Sequence, residues 1–414
     1  MRICVVYDCL YPCTVGGAER WYRNLAERLA GEGHEVTYLT LRQWDRGKAP
    51  TISAAARTSH VRAEGEEGAR TGSVRVLSAG PRMQLYVGDR RRIVPPLVFG
   101  AGVLWHLLRR GRRYDVVHSA SFPYFSLLAA GATRRLSHFD LVVDWHEVWS
   151  REYWREYLGR AGGALGYRVQ LLCARLPQRA FCFSQLHAAR LRAEGLRGEV
   201  TVLRGQYVAP QETARARGGE AAEQAPGRLL VFAGRLIPEK RVVLAVEAIA
   251  AAAPRIPGLR AVFYGEGPER ARLLRAIDEL GVREVASAPG FAPAEQLDAD
   301  LARAMCMLLP SRREGYGKVV VEASARGTPS IVVAAEDNAA TELIEDGVNG
   351  LVVSRAQADA VAEAIVRVHE AGEAMRQSTA RWYEQNARAL SLESSLEVVL
   401  ASYAREPATQ GRAR

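Results

Sequence analysis

Apolar runs alternate with helical patterns along the first half of this chain, and this alternation restricts the possible folds more than any other feature. The segment 18–30 predicts an amphipathic helix, because Trp21, Leu25 and Leu29 recur at helical spacing. Strands that alternate with helices in this way predict a parallel, doubly wound sheet. The predicted strands of the first half are 2–8, 35–41, 74–79, 115–120, 141–146, 180–184 and 200–204.

The same alternation starts again after 211–227, a segment that is poor in apolar residues and rich in Gly, Ala and charge. Such a composition predicts a linker or an exposed loop. The length of 414 residues also fits two domains of about 100–200 residues each. We therefore predict a first Rossmann-like domain at 1–210 and a second at 228–375, followed by helices within 376–404 and a disordered tail at 405–414. The predicted strands of the second half are 229–234, 259–265, 306–310 and 330–334.

Composition excludes several classes of protein. The longest nearly apolar run, 97–108, is shorter than the ~20 residues that a membrane span needs. The N-terminus lacks the apolar core of a signal peptide, so we expect a cytoplasmic protein. The six cysteines are scattered without a CxxC pair, which favours reduced thiols over a zinc site or a disulfide framework.

The chain carries a net charge of +10, and its basic residues are almost all arginine. Only three lysines occur, Lys48, Lys240 and Lys318, and two of them fall within motifs described below. The runs at 90–92 and 109–113 are expected to be solvated helix ends. Because no basic stripe is interleaved with aromatic residues, we expect no nucleic-acid partner.

Three motifs follow strands, which is where doubly wound sheets bind ligands. In FAGRLIPEK, Arg235 comes directly after a strand and Lys240 stands near a helix start, so the two could clamp a diphosphate. In FYGEGPER, Gly265 allows the backbone to approach a nucleotide. In TVGGAER, Gly16 and Gly17 could do the same for a phosphate. Taken alone, each motif could equally be an ordinary turn.

The stretch REGYGKVVVE places Glu314 and Glu322 on either side of a glycine-rich turn, with seven residues between them. Gly315 and Gly317 could expose backbone N–H groups to an anion at a helix start. One carboxylate could hold a sugar and the other a ribose diol. This interpretation explains the spacing better than paired acid–base catalysis, since the turn need not bring the two carboxyl groups together.

Five segments, in their order along the chain, resemble the nucleotide-sugar glycosyltransferases of family 4, which retain the anomeric configuration and have the GT-B fold. These segments are GGAER, GRLIPEK, YGEGPER, PSRREGYGKVVVEASARGTPSIV and EDGVNGLVV. The resemblance spans nearly the whole chain and is strongest from 229 to 353. It implies two Rossmann-like domains that face a cleft, with the acceptor site in 1–210, the donor site in 228–375 and the helices of 376–404 packed back on the first domain.

The resemblance also implies a role for each matching residue. Arg235 and Lys240 would neutralise the leaving diphosphate, Glu314 would contact the transferred sugar, and Glu322 would bind the ribose. The sugar and diphosphate would be held by the backbone of Gly315, Tyr316, Gly317, Lys318 and Val319. The phosphate would be approached by Gly16 and Gly17. The nucleotide site would be lined by Gly265, Gly290 and Phe291. No metal or other cofactor would be required.

Some positions depart from the family's pattern. His118 is present, but Ala120 occupies a position where many relatives have a second histidine. His146, with Glu147 behind it, is therefore the best candidate for contact with the acceptor. Asn338 stands where relatives often have a glycine-rich loop, and it could alter the sugar pocket. The carboxylates of Asp298 and Asp300 are expected on a solvated helix face rather than in a metal site.

The sequence thus predicts transfer of a sugar from a nucleoside-diphosphate sugar, UDP before GDP, to the hydroxyl of a small metabolite or glycan. A lipid-linked acceptor is an alternative, as are a catalytically silent subunit of the same fold and a nucleotide-binding oxidoreductase. The absence of G-x-G-x-x-G after the first strand argues against the oxidoreductase.

The stretch 93–113 could form a basic amphipathic face for peripheral membrane contact, although we expect an ordinary packed helix. The oligomeric state stays open.

Overall fold

A computed structural model of the protein describes residues 1–14, 16–45, 50–52, 72–87, 90–208 and 228–404. The chain divides into two compact units. Unit 1 contains Met1–Phe183, His187–Leu203 and the segment from Ser395 onward, and unit 2 contains Ser184–Leu186 and Arg204–Ser394. The predicted linker and the predicted tail lie outside the described residues.

Unit 1 contains a parallel sheet of seven strands in the order β3-β2-β1-β6-β7-β8-β9. Its strands are β1 (Arg2–Val6), β2 (Glu35–Thr40), β3 (Ser73–Ser78), β6 (Val116–Ala120), β7 (Asp140–Trp145), β8 (Arg179–Cys182) and β9 (Val200–Val202). A short antiparallel pair, β4 (Tyr86–Val87) and β5 (Arg90–Arg91), stands apart from it. The helices are α1 (Gly17–Gly31), α2 (Val94–Arg110), α3 (Tyr124–Ser137), α4 (Arg151–Ala174) and α5 (Gln185–Ala193).

Unit 2 contains a parallel sheet of six strands in the order β12-β11-β10-β13-β15-β17. Its strands are β10 (Leu229–Ala233), β11 (Arg260–Tyr264), β12 (Ala286–Gly290), β13 (Cys306–Leu309), β15 (Ser330–Val333) and β17 (Gly350–Val353). A separate pair joins β14 (Arg313–Glu314) to β16 (Asp337–Asn338). The helices are α6 (Val242–Ala252), α7 (Arg270–Glu279), α8 (Ala294–Arg303), α9 (Lys318–Ser324) and α10 (Ala358–Leu390). The last helix, α11 (Leu392–Tyr403), begins in unit 2 and lies mostly in unit 1.

The central strands are apolar throughout because helices cover both faces of a parallel sheet. In β1, the four residues from Ile3 to Val6 are all fully buried. In unit 2, the rings of Phe232 and Phe263 lie 5.4 Å apart on the adjacent strands β10 and β11. The alanine-rich face of α6 packs into the same core. These contacts explain why the predicted strands agree with the observed ones to within about two residues.

Each sheet reverses its strand order at one place, between β1 and β6 in unit 1 and between β10 and β13 in unit 2. We call these places the switch points, and in doubly wound sheets they are where ligands bind. The prediction of two Rossmann-like halves is confirmed. Within the described residues, no helix is long and apolar enough to span a membrane.

The C-terminal helices depart from the prediction in one respect. Residues 376–394 cluster with unit 2, and only the segment from Ser395, which includes most of α11, belongs to unit 1. The hydroxyl of Tyr403 in α11 bonds to Nδ1 of His118 at the centre of the unit 1 sheet. A break at Gly372, where φ is 50°, divides the long helix α10. The chain therefore returns to unit 1 later than the sequence indicated.

Candidate functional site

The switch point of unit 2 holds the two basic residues that the sequence singled out. Arg235 follows β10 with an exposed side chain, and no acidic side chain among the described residues pairs with it. Lys240 ends a short 3-10 helix, Pro238–Lys240, that begins three residues later. Gly265 lies against this loop so closely that a Cβ there would come within 1.9 Å of the Gly234 carbonyl oxygen. A glycine is therefore required where the two strand ends approach each other.

Lys240 and Glu314 form an ion pair across this switch point, although 74 positions separate them in sequence. Their side chains are 15% and 12% exposed, so the pair is accessible from solvent while largely desolvated. The Ser311 hydroxyl donates a 2.7 Å hydrogen bond to the same carboxylate oxygen, Oε1. The structure thus brings together two of the predicted catalytic residues and adds a third contact.

Glu314 lies in the two-residue strand β14, directly before the glycine-rich turn. This strand pairs with β16, where Asn338 stands opposite Glu314. The fully buried Asn338 amide donates to the backbone oxygens of Ser311 at 3.0 Å and Val333 at 2.7 Å. Its side-chain oxygen accepts from Ala340 N at 3.0 Å. Asn338 is therefore a positioning residue for the Ser311–Glu314 segment, a role that the sequence analysis missed.

The glycine-rich turn after Glu314 leads directly into α9. Gly317 is left-handed, with φ 93° and ψ 47°, and a Cβ there would lie 2.6 Å from the Ala340 Cβ. No side chain caps the first turn of α9. Lys318 and Glu322 form an i,i+4 ion pair at 3.5 Å, and both side chains are about one-third exposed. The predicted contacts of Gly315, Gly317, Val319 and Glu322 with a ligand stay predictions.

Tyr316 differs from its neighbours because its side chain is only 7% exposed. Its hydroxyl donates to the backbone oxygen of Arg204, and burial raises the pKa of this phenol well above its ordinary value. The ring therefore anchors the turn inside unit 2. Any contact of Tyr316 with a ligand would involve its backbone.

The ends of β11 and β12 meet at the predicted base site. Gly265 N donates to Gly290 O at 2.9 Å, and Gly290, with φ 96°, is the last residue of β12 rather than the first after it. The Phe291 ring that follows is 79% exposed. An apolar ring that protrudes beside two glycines is available for stacking.

One expectation about the acidic residues of unit 2 is wrong. Asp300 is 2% exposed instead of solvated. It accepts from the hydroxyl of Tyr264, from Gln296 Nε2 at 3.0 Å and from Arg303 Nε at 2.8 Å. Burial by itself raises the pKa of this carboxyl, but these donors together hold it below its ordinary value. Among the residues that the structure describes, no three His, Cys, Asp or Glu side chains are grouped to hold a metal ion.

In unit 1, Gly16 and Gly17 begin helix α1 beside the switch point. Gly16 has extended backbone, and a Cβ there would lie 2.3 Å from a carboxylate oxygen of Glu19. No heavy atom of the described residues would lie within 4 Å of a Cβ at Gly17, so packing in that part of the chain does not require a glycine there.

His118, on β6, is fully buried and has a structural role. Its Nε2 lies 2.9 Å from Oδ1 of Asp144 on the adjacent strand β7, and its Nδ1 bonds to Tyr403. Asp144 also accepts a 2.7 Å hydrogen bond from Trp21 Nε1. Burial by itself raises the pKa of the Asp144 carboxyl, but His118, His146 and Trp21 together lower it. This cluster joins α1, β6, β7 and α11, and no motif in the sequence marks Asp144.

His146 is the first residue after β7, and its ring stacks on Phe183 with centroids 4.5 Å apart. Burial lowers the pKa of its imidazole, although the carboxylates of Asp144 and Glu147 act in the opposite direction. Its Nε2 has no hydrogen-bond partner among the described residues. His146 is therefore a neutral imidazole that keeps one ring nitrogen unused.

A buried polar network beside His146 was also missed by the sequence analysis. Gln170, in α4, accepts from Tyr124 Oη at 2.8 Å and Trp154 Nε1 at 2.9 Å, and it donates to both carboxylate oxygens of Glu194. Burial raises the pKa of Glu194 to about 7. No motif signals this network, because its members are far apart in sequence.

Two protein families match the chain. The family described as Glycosyltransferase Family 4 matches residues 15–204, and the family described as Glycosyl transferases group 1 matches residues 219–388. Together the two matches take in most of the sequence. They confirm the resemblance that the motifs indicated.

Curated relatives match in part. An exopolysaccharide phosphotransferase of Streptomyces coelicolor is 35% identical over 34% of this chain and 15% of its own length. The alpha-D-kanosaminyltransferase of Streptomyces kanamyceticus is 31% identical over 34% of this chain and 36% of its own. The D-inositol 3-phosphate glycosyltransferase of Mycobacterium marinum is 33% identical over 43% of this chain and 38% of its own. The chain thus spans well under half the length of each of these relatives.

Solved structures match over nearly the whole chain. Sucrose-phosphate synthase from Thermosynechococcus elongatus has a TM-score of 0.73 at 18% identity and covers 97% of this chain and 98% of its own. HepE from Anabaena, solved in complex with UDP and glucose, has a TM-score of 0.67 at 18% identity and covers 97% of this chain and 99% of its own. These likenesses establish the GT-B fold.

Proposed function

Because the chain belongs to the GT-B glycosyltransferases of family 4, we propose that it transfers a sugar from a nucleoside-diphosphate sugar to an acceptor hydroxyl. The observation that carries this proposal is the contact between Lys240 and Glu314 at the switch point of unit 2. A cation suited to a diphosphate and a carboxylate suited to sugar hydroxyls lie side by side there. A donor that joins a sugar to a diphosphate needs these two groups next to each other.

In this proposal, unit 2 binds the donor. Lys240 and the exposed Arg235 bind the diphosphate, and they stabilise the negative charge that grows on it as the bond to the sugar breaks. Glu314 accepts hydrogen bonds from sugar hydroxyls, and Glu322 accepts them from the ribose. Phe291 and Gly290 hold the base. The assignment of UDP as the carrier draws support from the UDP bound to HepE.

We propose that the reaction retains the anomeric configuration and needs no metal. The bond from the anomeric carbon to the phosphate oxygen breaks, and the acceptor oxygen bonds to that carbon on the same face. The acceptor proton passes to the departing phosphate oxygen, so no protein nucleophile is consumed. In this scheme Glu314 binds sugar hydroxyls and does not act as the nucleophile. The coupling constant of the anomeric proton in the product, measured by NMR, would test retention.

For unit 1, we propose that Gly16 and Gly17 contact donor phosphate and that His146 contacts the acceptor. Nε2 of His146 has no hydrogen-bond partner among the described residues but is buried, so an acceptor hydroxyl would reach it only if the ring turned toward solvent. We propose a small metabolite or a glycan as acceptor. The name of the D-inositol 3-phosphate glycosyltransferase is consistent with a hydroxyl-rich acceptor.

A thermal-shift panel of UDP, GDP, ADP and dTDP tests donor binding. A ligand that binds only the folded state raises its melting temperature. We expect UDP to stabilise the wild type, and we expect Glu322→Ala to lose most of this response. The matched control, Glu345→Ala, removes a carboxylate of unit 2 far from α9 in sequence and should keep the response. If no nucleotide stabilises the wild type at millimolar concentration, the donor proposal fails.

Release of the nucleoside diphosphate from the donor separates a working enzyme from a catalytically silent subunit. A silent subunit would bind a nucleotide in the thermal-shift panel and release no diphosphate from any donor, with or without an acceptor. Measurable release would exclude that alternative.

A further inference from the structure

Helix α2 has two apolar faces, and only one of them is packed. Phe99, Val103 and Leu107 on its inner face are fully buried against the rest of unit 1. The residues on the opposite side, and Ile93 just before the helix, are between 37% and 63% exposed. We call this second set the outer face: Ile93, Val94, Leu97, Leu104, Trp105 and Leu108. The prediction of an ordinary packed helix is therefore correct for one face only.

The outer face is one continuous stripe rather than scattered exposure. From Val94 to Leu97, Leu104 and Leu108 the steps are three, seven and four residues, which keep side chains on one side of a helix. Ala101, also exposed, stands between Leu97 and Leu104 in the same stripe. Soluble proteins seldom expose a contiguous apolar patch unless it is an interaction site.

Positive charge borders the stripe at both ends. Arg92 precedes the helix, Arg109 and Arg110 are its last two residues, and Arg112 and Arg113 follow it; all five are exposed. The sequence contains no Asp or Glu from Arg90 to Tyr114. The Arg109 guanidinium lies 3.4 Å from the centroid of the Trp105 ring, so a cation and an amphipathic aromatic residue meet at the same point of the surface.

A pocket of about 310 Å³ opens beside the same end of the helix. One side of the pocket is lined by Trp105, His106, Arg109 and Arg110, and the other side by the end of β3 together with Ala79. The two guanidinium groups make this a suitable niche for a phosphate headgroup, because arginine binds phosphate with paired N–H donors. The pocket therefore places a phosphate-binding group next to an exposed apolar stripe.

We propose that the outer face of α2 docks the protein on an anionic lipid bilayer, with the helix in the plane of the interface. The apolar stripe would enter the boundary between headgroups and acyl chains, and the flanking arginines would bind lipid phosphates. A second copy of the chain is a poorer occupant, since either direction of helix pairing brings arginines against arginines. This inference is independent of the proposed sugar transfer.

Co-sedimentation of the full chain with lipid vesicles tests the proposal. Vesicles of phosphatidylcholine alone and of phosphatidylcholine with 30 mol% phosphatidylglycerol would be compared at low salt and at 0.5 M NaCl. We expect at least about tenfold stronger binding to the anionic vesicles and loss of most of this preference at high salt. The double variant Leu97→Gln/Trp105→Gln should weaken the binding about tenfold or more. Arg109→Gln/Arg110→Gln should remove the preference for anionic lipid.

The matched control is Leu274→Gln/Leu280→Gln, which changes two exposed leucines of unit 2 and should bind vesicles like the wild type. Circular dichroism of every variant would check folding. Absence of binding to anionic vesicles would overturn the proposal, and so would equal binding by the wild type and the Leu97→Gln/Trp105→Gln variant. A dimer in sedimentation velocity that this variant abolishes would assign the face to a second copy instead. Donor breakdown measured without vesicles reports on sugar transfer alone.

Discussion

The two switch points of this protein share a topology and differ in chemistry. In unit 1, the polar side chains near the switch contact each other: Asp8, which is 0% exposed, pairs with Arg91, which is 12% exposed, and Asp144 contacts His118, both 0% exposed. In unit 2, Arg235 is exposed, and the Lys240–Glu314 pair is partly open to solvent. Buried contacts hold elements together, whereas accessible charges can exchange partners with a ligand. The strand order thus fixes where a site can form, and solvent access decides which of the two switch points offers charge to an anion.

The largest expected effect concerns the accessible charge of unit 2. Lys240→Ala should lower kcat for donor breakdown about 10²–10³-fold, because the lysine meets charge that develops in the transition state. The rate at which nucleoside diphosphate is released at a saturating donor concentration measures this kcat. The control Arg272→Ala removes an exposed arginine of α7 and should keep kcat within about twofold. A Lys240→Ala enzyme with wild-type kcat would refute the charge-stabilising role.

The buried cluster of unit 1 should respond in stability instead. Asp144→Ala leaves Trp21 Nε1 and His118 Nε2 without their carboxylate partner inside the sheet. We expect a loss of about 3–5 kcal/mol in the free energy of unfolding, seen as a lower melting temperature. The isosteric variant Asp144→Asn keeps an acceptor for Trp21 and should lose less. A melting temperature equal to that of the wild type in Asp144→Ala would contradict the structural role.

Asn338 lies between these two cases, because it is buried and yet supports the accessible carboxylate. Asn338→Ala removes three hydrogen bonds, to Ser311, Val333 and Ala340, and the first of these holds the segment from Ser311 to Glu314. We expect a cost of about 2–3 kcal/mol in stability, together with weaker donor binding. Calorimetric titration of the donor nucleotide and thermal unfolding measure the two effects. If donor affinity falls without any loss of stability, Asn338 contacts the ligand directly and is not a positioning residue.

The smallest effect is a pH dependence in unit 1. Because the pKa of Glu194 is raised to about 7 from an ordinary value of 4.5, the folded state disfavours its ionised form. The stability that the neutral form provides is complete below pH 4.5 and is lost as the pH rises to about 7. At pH 6, Glu194→Gln should therefore gain about 2 kcal/mol relative to the wild type, and this difference should grow further up to pH 8. Unfolding measured at pH 4.5, 6 and 8 would show it, and a constant difference across this range would contradict the raised pKa.

Much of the fold was predictable because it follows from local patterns. Continuous apolar runs such as RICVV at β1 can only be central strands of a covered sheet, and the Gly-Tyr-Gly turn fixes the start of α9. The motifs also placed Arg235 and Lys240 at the end of a strand. Local sequence patterns do not show which residues pair over a long sequence distance, since this pairing depends on the strand order. The Lys240–Glu314 ion pair, the Asp144–His118 contact and the Gln170–Glu194 network all belong to this class.

The sequence was also silent about solvent access. Asp300 and Tyr316 look like surface residues in their motifs, and both are buried. Conversely, the apolar run of α2 looks like core, and one side of it is exposed. A helical pattern with two apolar stripes does not reveal which stripe packs inward. Only the packing of α2 within unit 1 resolves this question.

Hydrogen exchange measured by mass spectrometry, with and without UDP, tests the central claim most directly because it reports on both switch points in one experiment. If unit 2 holds the donor diphosphate, UDP should slow exchange of the backbone amides at 234–240 and 315–319 and leave those at 118–121 and 144–147 unchanged. Slowed exchange confined to 118–121 and 144–147, with 234–240 and 315–319 unaffected, would contradict the assignment of the donor site to unit 2.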